Sequence, residues 1–450
     1  MSGTSGSTSR TRRSGRPPVD RQVLESPLSA TWRPAVREKA VLVGVGPGID
    51  AADLDELDAL ADSAGAESVA RVVQSRQEPD PATYIGRGKL DEVHGEVHRR
   101  GADSVILDQE LTPGQLRSLE ERLGVKVIDR TALILDIFAL HARSREGKAQ
   151  VELAQLNYLL PRLRGWGEAM SRAGGGIGTR FGSGETKMEV DRQHIGRRIA
   201  KLRRELKTLA RTRETKRSRR QSSGIPQAAI AGYTNAGKST LMNRLTGADV
   251  IVADQLFATL DPTVRRLKLP GGRRATIGDT VGFVSKLPHD LVEAFRSTLE
   301  EVTLAELIVH VADAASPALG GQIEAVRNVL DEIGAGSIPE VLVLNKIDLV
   351  PGSERARIAR RYPGSIPVSA LTGEGVDGLL ETLETTLPHP PVEVELLVPY
   401  GREDLTALLY REAEVLSTTH GETGTVVLAR VGFRELAAVR EFVLHERRTS

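Results

Sequence analysis

Gly232-Tyr233-Thr234-Asn235-Ala236-Gly237-Lys238-Ser239 stands between an apolar run, Ala228-Ala229-Ile230-Ala231, and the helix-forming Thr240-Leu241-Met242-Asn243-Arg244-Leu245. A strand, a glycine-bounded loop and a helix in that order make a P-loop. Gly232 and Gly237 let successive backbone N–H groups turn inward on phosphate oxygens, Lys238 reaches the β- and γ-phosphates, and the Ser239 hydroxyl completes a Mg²⁺ shell. A side chain at either glycine would block that approach.

Three further motifs follow in order. Asp279-Thr280-Val281-Gly282 comes after the strand-like Arg274-Ala275-Thr276-Ile277. Asn345-Lys346-Ile347-Asp348 comes after Val341-Leu342-Val343-Leu344, and Ser369-Ala370-Leu371 after Ile366-Pro367-Val368. Each sits at the carboxyl end of a strand, where open α/β sheets hold ligands. A polar turn after a strand would explain Asn345 and Asp348 taken singly, but not four motifs in sequence. Asp279 is expected to hold Mg²⁺ through water, and the Gly282 N–H to contact the γ-phosphate, which makes residues 279–290 a switch. Asp348 offers two acceptor oxygens to the N1–H and N2–H₂ donors of guanine, a pair adenine lacks. Unpaired buried polar groups enforce such a choice at roughly 10⁴-fold or better, so GTP is selected over ATP.

The 450 residues, 40% hydrophobic and 27% charged, fill two to four ordinary cores. No apolar stretch approaches the ~20 residues of a membrane helix. The amino terminus lacks an apolar signal core, so a cytoplasmic protein without a membrane anchor is expected. With no Cys, disulfide frameworks and Cys-ligated metals are excluded.

The net charge of +1 conceals segregation. Residues 1–40 carry eight Arg/Lys against three Asp/Glu, and residues 191–220 thirteen against three. Residues 1–35, rich in Ser, Arg, Gly and Pro, read as a disordered basic arm that either contacts RNA or aids solubility. The second basic stretch is periodic: Met188, Ile195, Leu202 and Leu209 recur every seven residues, with Ile199 and Leu206 between them and Arg192 as an interruption. Leu153, Leu156, Leu160 and Leu163 show matching spacing, which predicts an antiparallel helical hairpin over 146–223. Its connection, 165–186, holds eight Gly with Trp166, Arg172, Arg180 and Phe181. Guanidinium groups pair with phosphate and aromatic rings stack on unpaired bases, so this tip suits insertion into folded RNA. A solvated charged helix with a floppy loop is the plainer account of the same residues.

Before the hairpin, Ala40–Val45, Asp53–Leu60, Ser68–Val73, Ser104–Leu107 and Val125–Ile128 alternate as strands and helix of a small α/β domain, 36–145, with a mainly parallel sheet. In it, Tyr84-Ile85-Gly86-Arg87-Gly88-Lys89 opens a helical stretch and offers a weak candidate for a second nucleotide site. After the nucleotide-binding domain, 224–389, Pro388, Pro390 and Pro391 mark a hinge. Val392–Val398, helical Asp404–Ala413, Gly424–Val431 and helical Glu435–Val443 then outline a small C-terminal α/β domain, 390–450, for docking or for packing.

The whole resembles the HflX GTPases, which bind and split ribosomes. The resemblance covers about residues 36–450. It rests on Tyr84–Lys89, Val127-Ile128-Asp129-Arg130, Leu133-Ile134-Leu135-Asp136-Ile137-Phe138, Val151-Glu152-Leu153-Ala154-Gln155-Leu156, Gly175-Gly176-Ile177-Gly178-Thr179-Arg180, and Phe257-Ala258-Thr259-Leu260-Asp261-Pro262-Thr263. It implies a factor, monomeric when free, that contacts the 50S large subunit and its rRNA. The hairpin loop would reach the peptidyl-transferase region, and 70S ribosomes would be split in a GTP-dependent manner. Spacing alone leaves Thr259 and Thr263 as rivals for the first switch ligand; the resemblance selects Thr259, within Phe257–Asp261, as a Mg²⁺ ligand that also orders the catalytic water. One departure lies in the hairpin loop. Where the family tends to have Arg-Gly-Pro-Gly-Glu, this chain has Arg180-Phe181-Gly182-Ser183-Gly184-Glu185, one residue longer and without the Pro.

After Gly282, where many GTPases carry a water-orienting Gln, stands Phe283, which neither donates nor accepts a hydrogen bond. Slow intrinsic hydrolysis is expected. The missing help would come from the ribosome or from potassium held partly by Asn235, as a similarly placed Asn does in some related GTPases. Two other functions fit the same residues: an ATP- or GTP-dependent rRNA-remodelling enzyme, and a non-catalytic factor that blocks subunit joining. The expected architecture is α/β, a P-loop GTPase domain flanked by the N-terminal α/β domain, the helical hairpin and the C-terminal α/β domain.

Overall fold

The computed structural model describes residues 37–163, 183–221, 225–247, 256–257, 263–286, 296–390 and 392–448. The basic arm and most of the Gly-rich tip of the hairpin, 165–182, with Trp166, Arg172, Arg180 and Phe181, lie outside them.

Ala40 to Val45 are apolar apart from Gly44 and buried throughout, as in a strand covered on both faces. They form β1 (Glu38–Gly46), flanked in parallel by β2 (Ala66–Ser75) and β3 (Ser104–Leu107), with β4 (Lys126–Asp129) beside β3. The order β2-β1-β3-β4 gives the parallel sheet anticipated. Alternate residues serve opposite faces. Leu42, Ile106 and Ile128 pack on α1 (Asp55–Ser63) and α4 (Arg130–His141), while Val41, Val43, Val105 and Val127 pack on α2 (Arg87–Arg100) and α3 (Pro113–Leu123). Local chemistry sets the helix ends. Thr112 and Gln115 form a capping box around Pro113, and Gly124 closes α3 in the left-handed conformation.

Two helices leave this layer, α5 (Arg145–Arg162) and α6 (Ser183–Gln221). Arg145 pairs with Glu205 and Arg198 with Glu152, so the partners run in opposite directions and the pair is antiparallel. Ile199 and Leu202 are buried and Ile195, Leu206 and Leu209 half-buried, which matches the seven-residue period; Arg192 is exposed. The expected seam on α5 differs. Leu153, Leu156 and Leu160 are only half-buried, whereas Val151, Ala154 and Gln155 are buried. Val151 and Ala154 belong to the core beneath α1 and α4, so α5 serves two neighbours and its deepest face is turned to the sheet.

The second sheet has the order β10-β9-β8-β5-β7-β6. Its elements are β5 (Gln227–Gly232), α7 (Lys238–Thr246), β6 (Thr263–Lys268), β7 (Arg274–Asp279), α8 (Arg296–Thr303), β8 (Leu307–Asp313), α9 (Leu319–Glu332), β9 (Glu340–Asn345), α10 (Gly352–Arg361), β10 (Ile366–Pro367) and α11 (Val376–Thr386). Only β6 runs antiparallel. The four motifs therefore emerge on one edge, after β5, β7, β9 and β10.

The third sheet is antiparallel, β12-β13-β11-β14, from β11 (Val392–Pro399), β12 (Glu414–His420), β13 (Gly424–Val431) and β14 (Val443–Arg448), with α12 (Glu403–Glu412) and α13 (Phe433–Val439). The helix expected to run to Val443 ends at Val439, and Val443 instead opens a strand paired with Leu396. Strand β12 was not anticipated. Ser417 to His420 are exposed, so its sequence lacks the apolar alternation that marks a strand. The proline hinge is held in place: Arg273, in the turn before β7, donates to the carbonyls of Glu384, Leu387 and Pro388 and meets His389 Nδ1 at 2.8 Å.

Candidate nucleotide site

The loop after β5 is built to bring backbone, not side chains, to the mouth of the sheet. A Cβ on Gly232 would strike the Val311 carbonyl, and one on Gly237, whose φ is +88°, would strike the Asn345 amide. Asn235 also adopts the left-handed conformation, at φ +59°. Lys238 is buried at the start of α7, and its Nζ donates to the Tyr233 carbonyl at 2.8 Å. Burial lowers its pKa to about 8, against the opposing pull of Asp279. An ammonium held this way is poorly solvated and gains strongly from a nearby phosphate.

Ser239 Oγ donates to Asp279 Oδ2 at 2.9 Å, so the P-loop hydroxyl and the second motif's carboxylate share one point. These are hard oxygen donors of the kind Mg²⁺ takes in small number beside phosphate. A Cβ at Gly282 would lie 2.9 Å from Lys238 Nζ and 2.8 Å from Thr234 Cγ2. The Gly282 backbone is thus pressed against the P-loop at the lysine head. Phe283 is zipped beside it: its N–H donates to Gly232 O at 3.1 Å and its C=O accepts from Thr234 N at 2.7 Å. Its ring, 2% exposed, packs with Tyr233, Leu299 and Val302. The side chain after Gly282 therefore points into the core.

On the far side, Asn345 bridges two motifs. Its Nδ2 donates to Ala236 O at 2.8 Å and its Oδ1 accepts from Ala370 N at 3.0 Å. Lys346, at φ +61°, pairs with Asp313 at 2.8 Å. The turn leaves Asp348 partly accessible and Leu371 is exposed, while Ile347 and Ser369 are buried. Arg244 on α7 donates to Ala370 O at 3.1 Å and fixes the last motif to the P-loop helix.

Several sequence-selected residues act through backbone alone. Thr280 Oγ1 is spent on Ile230 O at 2.7 Å, and Val281 packs into the N-terminal core. The Phe257 ring meets Phe138 of α4 edge-on, with centroids 4.6 Å apart. Ala258, Thr259, Leu260 and Asp261 lie outside the described residues. The sequence reading passed over a polar group that reaches this site from the N-terminal layer, namely Glu56, Asp108 and Arg130, and their partners Ser285 and Lys286. They are far apart in sequence, and the one available sign was Asp129-Arg130 standing at a strand end. The weak motif near α2 is occupied: the Gly86 N–H goes to Gln74 at 2.9 Å and Lys89 to Glu92 at 2.7 Å.

Four family descriptions match in chain order. They are "GTP-binding GTPase N-terminal" at residues 51–139, "GTP-binding GTPase Middle Region" at 141–220, "50S ribosome-binding GTPase" at 227–346 and "HflX C-terminal domain" at 355–439. GTPase HflX of Caldanaerobacter subterraneus subsp. tengcongensis is 48% identical over 412 residues, 91% of this chain and 94% of that one. The chain belongs to the HflX family of GTPases. GTPase HflX of Escherichia coli K12 is 44% identical over 397 residues, covering 87% of this chain and 92% of its own. A solved GTP-binding protein of Sulfolobus solfataricus in complex with GDP is 26% identical, covers 78% of this chain and 98% of its own, and gives a TM-score of 0.41. As an HflX-family member the chain is a GTP hydrolase, and the match to a ribosome-binding GTPase description implies a ribosomal partner. Among the described residues no helix is long and apolar enough to cross a membrane.

Proposed function

We propose that this HflX-family GTPase binds the large ribosomal subunit and separates stalled or idle ribosomes in its GTP form, with hydrolysis resetting it. One observation carries the reading: helix α6, which bears all thirteen basic residues of 191–220, is packed on α5, and α5 on the same core that receives the switch-side residues Leu256, Phe257, Val281 and Val284. A nucleotide-dependent shift at the switches thereby has a packed route to an RNA-seeking element.

In this reading Lys238 and the Gly282 N–H address the terminal phosphate, Asp348 and Asn345 select guanine, and Ser239 with Asp279 would hold Mg²⁺, joined by Thr259 on the family resemblance. The ion would neutralise charge developing on the phosphate oxygens. Phe283, turned into the core, offers the attacking water no polar side chain, which supports slow turnover off the ribosome and stimulation on it. The units proposed are 36–145, 146–223, 224–389 and 390–450, in a cytoplasmic protein.

Sedimentation and light scattering of preformed 70S particles test the proposal. Separation should proceed with GTP and with a non-hydrolysable analogue, and fail with GDP. If the protein blocks rejoining of subunits but does not speed their separation, it is an anti-association factor and the proposal falls.

A further inference from the structure

The last of the four motifs is held by an arginine that belongs to the phosphate helix. Arg244 lies in the last turn of α7, six residues after Lys238 and so roughly 9 Å further along the helix axis. Its Nε donates to the Ala370 carbonyl at 3.1 Å and its Nη2 to the Leu371 carbonyl. One planar fork thus spans two successive peptide units of the motif. Among the described residues neither carbonyl has another donor.

The rest of the turn closes without Arg244. The Gly373 N–H donates to Ser369 O at 2.8 Å, the Ser369 N–H to Glu374 O at 2.8 Å, and the Thr372 N–H to Ser369 Oγ at 3.1 Å. Arg355 of α10 donates to the Glu374 carboxylate at 2.7 Å and to the Val350 carbonyl at 3.1 Å, which latches this end of the turn to the segment after Asp348. Helix α7 keeps its own place through the buried Leu241, Met242 and Leu245. What Arg244 decides is the pose of the backbone at 370 and 371. Asn345 Oδ1 takes the Ala370 N–H at 3.0 Å, and the arginine takes the carbonyls that follow.

That pose bears on the base. A trans peptide points its N–H opposite to its C=O, so turning the Ala370 carbonyl toward α7 turns the Leu371 N–H away from it. Guanine presents an acceptor, O6, at the position where adenine presents its N6 amino donor. A fixed N–H pairs with the first and faces the second donor to donor. We propose that Arg244 is a positioning residue for guanine selection: it holds the Ala370-Leu371 peptide so that its N–H meets O6, while Asp348 meets N1–H and N2–H₂. This role rests on the assignment of Asn345 and Asp348 to the base made above. Asp348→Asn tests that assignment separately, since it should weaken GDP whatever Arg244 does. Unchanged GDP affinity in Asp348→Asn would remove the assignment itself.

The experiment is displacement of fluorescent GDP from the full chain by GDP and by 6-thio-GDP, in which sulfur, a weaker acceptor, replaces O6 while the N1–H and N2–H₂ donors remain. With Arg244→Ala, GDP affinity should fall about tenfold and 6-thio-GDP affinity by no more than about twofold, because the lost contact is the one to O6. The KM for GTP should rise about tenfold and kcat should stay within about twofold, since Lys238 and Gly282 are untouched. Arg244→Lys keeps the charge without the fork and should recover only part of the GDP affinity. Unchanged GDP affinity in Arg244→Ala would overturn the assignment to Arg244. Equal losses for the two nucleotides, or kcat falling with affinity, would mark a merely structural role and overturn it too. Full recovery by Arg244→Lys would show that charge suffices and would also overturn it. If Arg244→Ala does not fold, Arg244→Lys carries the same comparison, and GDP should still lose more than 6-thio-GDP.

Discussion

Lys238 is a charge kept in reserve. Its ammonium is buried and, among the described residues, donates to one carbonyl, with Asp279 the charge that favours it, and burial lowers its pKa to about 8. The unfolded chain keeps that proton to the ordinary 10.5, so between these values the folded, nucleotide-free protein binds fewer protons. Phosphate binding requires the ammonium and must restore the proton. GDP affinity should accordingly decline about tenfold from pH 7 to pH 9, read by fluorescent-nucleotide titration. A flat profile over that range would show that the lysine stays charged without its ligand. Phe283 makes the complementary point at the same scale. Its identity was plain in the sequence and disqualified it as a water-orienting group, but only the structure shows that its ring is core and its backbone is tied to the P-loop.

At the scale of elements, strands buried on both faces were legible because nothing else accounts for runs such as Ala40–Val45 and Val341–Leu344. So were the loop glycines, since each lies where a Cβ would meet backbone or a fixed amide. What escaped was weakly patterned or distant. The exposed β12 shows no alternation, and β14 is an edge strand whose pairing with β11 spans about fifty residues of chain. Glu56, Arg130 and Ser285 meet across 74 and 155 positions, a proximity no local pattern encodes. Helix α4 supplies a test of how tightly its layer is closed. Burial pushes the Asp136 carboxyl up to about 8, with Lys126 drawing it down, and its Oδ1 has no hydrogen-bond partner among the described residues. The folded protein therefore holds this proton after the unfolded chain has released it near 3.8, so the group erodes stability as pH rises from there to about 8. By calorimetry, Asp136→Asn should raise the thermal midpoint more at pH 8 than at pH 4. Equal shifts at both would mean the carboxyl is not buried in solution.

Across the whole molecule, the first core is where everything meets. It holds the apolar faces of α1 and α4, the inner face of α5 that carries the basic helix, and the switch-flanking residues Phe257, Val281 and Val284. The nucleotide sheet contributes chemistry through backbone geometry, and the N-terminal layer contributes rigidity through Glu56, Asp108 and Arg130. Interfaces of this kind rearrange between discrete states and do not deform smoothly, which suits the proposed nucleotide-dependent grip on the ribosome. The third domain is tied to the nucleotide domain by Arg274 with Glu412 at 3.9 Å and by His389, itself held by Arg273, with Glu414 at 3.0 Å. The most direct measurement is the affinity of the full chain for isolated 50S subunits with a non-hydrolysable GTP analogue and with GDP. The account predicts binding at least about tenfold tighter with the analogue, a coupling of about 1.4 kcal/mol. Equal affinities in the two nucleotide states would contradict it.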